Sequence, residues 1–84
     1  MAYLFPNPTR GDIYIDVTRI GLGSAKPIKI NLYAVSGKLL KELSLDPGKV
    51  SGSILWNVSG LSEGIYLLEV NNGQNIEIHR VIKQ

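Results

Sequence analysis

His79 is the only histidine in the chain, and Glu77 stands two residues before it, on the same face of an alternating strand. An imidazole beside a carboxylate is the starting material for general-base chemistry or for a metal site. A metal site needs three or four convergent ligands, and this pair offers two. The chain has no cysteine, so thiolate ligands and disulfides are both excluded. Nucleophilic catalysis needs a hydroxyl, a base and a group that orients the base. The Ser and Thr residues have only His79 to turn to, and nothing in the pattern holds it. Hydrolysis by paired carboxylates needs one acid kept protonated in a cleft, whereas the seven acidic residues sit at alternating polar positions or in turns. The residues therefore assign no catalytic, cofactor-binding or metal site. The chain reads as non-catalytic, with Glu77 and His79 a solvent-facing pair.

Other short motifs dissolve in the same way. Gly21-Leu22-Gly23-Ser24-Ala25-Lys26 has the glycines of a phosphate loop, but Pro27 and a strand follow where a helix N-terminus is required. Arg10-Gly11-Asp12 spells an integrin-type tripeptide, yet it enters a strand directly from a proline-containing turn. Asn57-Val58-Ser59 is a formal N-glycosylation acceptor at a strand end. Among the aromatics, Trp56 alternates with Ile54 and Val58 and is expected in the core. Tyr14 and Tyr33 sit opposite the apolar faces of their strands and are the candidates for exposure.

The elements that position these residues are short. Eighty-four residues make one domain, which buries roughly 60–65% of the surface its unfolded chain exposes. Without disulfides, stability must come from apolar packing, for which a hydrophobic content of 44% suffices. The net charge of +2 is spread along the chain, unlike the clustered basic face of a nucleic-acid module, so no nucleic-acid partner is expected. No apolar run approaches the ~20 residues of a membrane-spanning helix. Met1 to Pro6 lacks the charged and apolar regions of a signal peptide. Either the protein is cytoplasmic, or this is a fragment whose export signal lies upstream.

Alternation from Asp12 to Thr18 puts Ile13, Ile15 and Val17 on one face of a strand. A second strand from Ile28 to about Val35 turns Ile28, Ile30, Leu32 and Ala34 inward. Ser36-Gly37 then reverses the chain, since glycine accepts the positive φ of a tight hairpin. The return strand, Lys38 to Leu45, offers Leu39, Leu43 and Leu45 to one side, with Lys41 interrupting. Asp46-Pro47-Gly48-Lys49 reads as a turn, and Ile54 to Val58 as a strand. Leu61-x-x-Gly64-x-Tyr66 has the shape of a tyrosine corner. Ile65 to Val70 follows, then Asn71-Asn72-Gly73-Gln74 as a type I′ hairpin signal, then a last strand from Ile76 to about Lys83. No stretch keeps a helical period. Six or seven evenly spaced strands predict an all-β, Ig-like or fibronectin-like antiparallel sandwich.

Strict alternation leaves apolar residues on the outer faces as well. Val35, Leu40, Ile65 and Leu67 fall there and form a candidate contact surface.

Four segments, Phe5-Pro6-Asn7-Pro8-Thr9-Arg10-Gly11-Asp12-Ile13, Leu32-Tyr33-Ala34-Val35-Ser36-Gly37-Lys38-Leu39-Leu40, Asn57 through Tyr66, and Arg80-Val81-Ile82-Lys83, come in a characteristic order. Together they resemble the type A C-terminal sorting domain of the type IX secretion system of Bacteroidota, over nearly the whole chain. Two positions depart from the family's usual pattern: Ala34, where an acidic or amide residue is frequent, and Arg80, where lysine is frequent. The resemblance implies a single C-terminal domain of a larger exported protein, carrying an N-terminal cargo domain through the periplasm to the cell surface or medium. It implies an outer-membrane translocon and a cell-surface sortase as partners, and no cofactor. The sorting elements it implies are Pro6, Asn7 and Pro8, then Gly37 and Lys38, then Gly64 and Tyr66, then Arg80, Val81, Ile82 and Lys83. Two other readings stand beside it: an accessory binding module for carbohydrate or protein on a secreted hydrolase, using Tyr14 and Tyr33, and a plain spacer.

Overall fold

The computed structural model describes residues 3–17, 26–46 and 53–84. The glycine-containing segment 21–25 and the turn at 47–49 lie outside the described residues. Within them, seven strands form and no helix. They are β1 (Tyr3–Phe5), β2 (Asp12–Asp16), β3 (Ile28–Ala34), β4 (Leu39–Leu45), β5 (Ser53–Asn57), β6 (Gly64–Asn71) and β7 (Ile76–Lys83). One sheet has the order β1-β2-β5, the other β4-β3-β6-β7, and every strand pairing is antiparallel. This is the order of a fibronectin-like sandwich.

Period-two alternation decides which side chains fill the space between the sheets. Ile13 and Ile15 of β2, Val17 just beyond it, Ile28, Ile30 and Leu32 of β3, and Leu68 and Val70 of β6 are all buried. Each such side chain contributes roughly 1.5–3 kcal/mol of transfer free energy. Tyr66, Val81 and Val58 close the same core, and Trp56 and Ile54 pack against it from β5. At the start of β6, the Tyr66 hydroxyl donates to the Ser62 carbonyl at 2.7 Å, which is the expected tyrosine corner.

Three local features differ from the alternating pattern. Tyr3–Phe5 forms a strand too short to announce itself by periodicity. In the β3–β4 pair the register slips between Leu32 and Tyr33, so Leu32 faces Lys41 while Tyr33 faces Leu39. A bulge of this kind inverts the side-chain phase. It turns Leu39 outward and sets Leu40 against the core, the reverse of strict alternation. Lys41, although on the inward phase, reaches across the open side of the sandwich. Its Nζ donates to the Asn57 carbonyl at 3.0 Å and lies 6.0 Å from the Trp56 ring centroid. Lys41 remains exposed, so the ammonium keeps solvent contact while it makes this bond.

The β6–β7 turn is the third feature. Asn71 pairs with Ile76, so the connection holds four residues. Among the described residues no residue but glycine has positive φ, and a type I′ turn requires it at both central positions. Carboxamides build the loop instead. Asn72 Oδ1 accepts from the amides of Gln74 and Asn75, and Asn71 Oδ1 from that of Gly73.

Candidate functional site

Residues far apart in the chain meet at one end of the four-stranded sheet. β3 ends there at Ala34, β6 begins there at Gly64, and β7 finishes there at Lys83. The register places Ala34, Tyr66 and Val81 in one row and Gly64 opposite Lys83. All four segments in which the resemblance placed sorting elements converge on this end.

The β3–β4 hairpin is closed by the Gly37 amide donating to the Ala34 carbonyl, and the Ala34 amide to the Lys38 carbonyl, both at 2.9 Å. Gly37 has φ +96°, a conformation glycine takes without penalty. Gly64 has φ +152°. A Cβ at Gly64 would meet nothing within 4 Å, so conformation and not space calls for glycine there.

The N-terminal turn makes the decisive contact. Prolines at 6 and 8 have no N–H, so this segment cannot run as a regular strand beside β7. The Asn7 carboxamide carries the same donor and acceptor as a peptide unit and takes that place. Its Nδ2 donates to the Arg80 carbonyl at 2.7 Å, and its Oδ1 accepts from the Ile82 amide at 2.9 Å. Backbone pairing resumes at Thr9, whose amide donates to the Ile82 carbonyl at 2.8 Å and whose carbonyl accepts from the Gln84 amide at 2.7 Å. Thr9 and Lys83 form an isolated parallel bridge. Thr9 is buried, and its hydroxyl donates to the Asp12 carbonyl and accepts from the Gly11 amide. The Gly11 carbonyl accepts from the Val58 amide. The turn thus bolts the last strand of one sheet to the β2–β5 side of the other.

This contact was not legible in the sequence, although its signal was present. An amide side chain between two prolines stands where backbone donors have been removed. The Arg10-Gly11-Asp12 tripeptide is part of the same bolt, its glycine bonded on both sides.

Side chains at this end divide by face. Val81 and Lys83 point inward and are buried, and the Lys83 ammonium donates to the Gln84 carbonyl at 2.8 Å. Of the two basic residues of the tail, Arg80 alone is exposed. On the outer face Val35 and Ile65 are exposed, whereas Leu67 is half-buried and Leu40 belongs to the core side.

His79 and Glu77 form a half-buried pair, Nε2 to Oε1 3.0 Å. They lie on the inner phase of β7, opposite Leu68 and Val70. Among the described residues no group of three or more His, Cys, Asp or Glu converges. Tyr14 stacks on Phe5 with ring centroids 5.4 Å apart and planes 13° from parallel, so one face of each ring is occupied by the other. Tyr33 is half-buried. Asn57 Oδ1 accepts from the amide and hydroxyl of Ser59. No helix among the described residues is long and apolar enough to cross a membrane.

Fold and site together define a small β-sandwich whose distinctive feature is a bolted carboxy-terminal strand. Residues 3–84 match the family model of the secretion system C-terminal sorting domain. The chain belongs to that family, whose members are sorting signals of type IX secretion and are non-catalytic as a class. Such domains mark proteins for export to the cell surface or medium and are recognised by the type IX machinery. No individual curated protein matches the chain.

Proposed function

We propose that these residues are a single C-terminal sorting domain of a larger exported protein, and that the secretion machinery reads the bolted end as a folded shape. Pro6, Asn7 and Pro8 hold the edge of the tail. Gly37 and Lys38, with Gly64 and Tyr66, set the neighbouring strand ends, and Arg80 to Lys83 are the part presented. An outer-membrane translocon would engage this end after the domain folds in the periplasm, and a cell-surface sortase would cut ahead of it to release or anchor the cargo. The observation that supports this reading most is the Asn7 carboxamide on Arg80 and Ile82, because it ties the first motif segment to the last.

The test is a fusion of the chain to a reporter with an export signal in a type IX-competent host. Wild type is expected at the cell surface. Deletion of residues 81–84 is expected to trap the reporter in the periplasm, and Asn7→Ala to lower surface display while the domain stays folded. Normal surface display of both variants would overturn the proposal.

A further inference from the structure

Gly73, in the β6–β7 loop, has φ +89°, and the side chain of Lys26 lies against it. A Cβ at residue 73 would stand 2.6 Å from Lys26 Cδ and 3.0 Å from Lys26 Cβ, and no other described glycine is approached so closely. The glycine is therefore the seat on which the Lys26 stem is laid. Lys29 of β3 pairs with Asn71 of β6, and Asn71 with Ile76 of β7, so their side chains form one row on the outer face of the four-stranded sheet. Asn71 Oδ1 accepts from the Gly73 amide at 2.8 Å, which leaves the donor Nδ2 as the other end of the carboxamide. Lys26, Pro27, Lys29, Asn71 and Gly73 line a concavity of about 240 Å³. It lies where β3 begins and β6 ends, remote from the Asn7 contact.

We propose that this concavity binds a phosphate group, with Lys26 and Lys29 as the charged contacts and Asn71 Nδ2 as a third donor. This inference is independent of the sorting role. Every polar side chain in the lining offers a donor, and no carboxylate is among them. The adjoining hollow between β3 and β4 differs, since Glu42 stands in its wall. Glu69, the one acid of β6, is turned to Asn31, whose Nδ2 donates to it at 3.0 Å. Lysine ammonium groups bind phosphate as point charges through charge-assisted hydrogen bonds. Three donors around one hollow suit an anion with three oxygens to offer better than a carboxylate with two. The hollow opens on the surface, so the phosphate is either free or the headgroup of a lipid. Ile76, exposed beside Asn71 in the same row, lies where the apolar part of a lipid would follow.

Titration of inorganic phosphate into the 84-residue chain, at constant ionic strength and followed by amide NMR, tests this. Saturable shifts are expected at the Gly73 amide and at the Asn71 side-chain amide. Lys26→Gln and Lys29→Gln are each expected to weaken binding by about fivefold. Lys38→Gln, at the opposite end of the sheet, is expected to leave it unchanged. Flotation with phosphatidylcholine vesicles, with and without phosphatidylglycerol, identifies the source of the phosphate. Flotation with the phosphatidylglycerol vesicles alone, lost in Lys29→Gln, assigns the site to a lipid headgroup. Saturable binding of free phosphate without flotation assigns it to a soluble anion. Neither saturable shifts nor flotation, binding equal in wild type and Lys29→Gln, or a loss in Lys38→Gln as large as in Lys29→Gln would each overturn the proposal.

Discussion

The two halves of β7 share one partner strand and one unbroken register with β6, yet their outer edges differ completely. From Arg80 onward the edge groups are bonded by Asn7 and Thr9, and Val81 and Lys83 are buried beneath them. From Ile76 to Ile78 no strand among the described residues lies beside the edge, and the two isoleucine side chains are exposed. The edge-facing positions are Ile76 and Ile78 in one half and Arg80 and Ile82 in the other, and it is not β7 itself that covers the second pair. A segment more than seventy positions away in sequence does so. A terminal strand, then, takes its protection from whatever the chain lays against it.

Four substitutions probe the contrast, read by chemical denaturation with Trp56 fluorescence. Val81→Ala, in the bolted half, removes two methyl groups from a fully packed site and is expected to cost about 2–3 kcal/mol. Asn7→Ala leaves the Arg80 carbonyl and Ile82 amide to water, since the site is exposed, and is expected to cost about 1–2 kcal/mol. Tyr66→Phe removes the corner bond to Ser62 and is expected to cost about 1 kcal/mol. Ile78→Thr, in the open half, is expected to change stability by no more than about 0.5 kcal/mol at dilute concentration. A cost at Ile78 equal to that at Val81 would erase the distinction between the halves.

Much of the fold was readable because burial follows period two wherever both flanking strands are regular. Ile13, Ile15, Ile28, Ile30, Leu32, Leu68 and Val70 all obey it, and the Leu61-x-x-Gly64-x-Tyr66 spacing located the corner. Failures occurred where one residue changes the phase or a side chain replaces backbone. The bulge opposite Leu32 exchanged the roles of Leu39 and Leu40, and no residue type announces a bulge. Asn71 and Asn72 spent their carboxamides on the following amides, so an Asn-Gly pair that favours a two-residue turn closed a four-residue loop. Asn7 did the same across the molecule. An amide set between two prolines marks missing backbone donors, but its partners Arg80 and Ile82 have no local signature, because non-local hydrogen bonds follow from topology, not from neighbours in sequence.

Amide hydrogen exchange at Ile82, in wild type and in Asn7→Ala at dilute concentration, is the most direct measurement. The Ile82 amide is expected to be protected in wild type and to exchange far faster in the variant, while the Leu68 amide in the sheet interior barely changes. An Ile82 amide equally protected in both proteins would show that the Asn7 carboxamide does not hold the tail, and the bolted end would lose its basis.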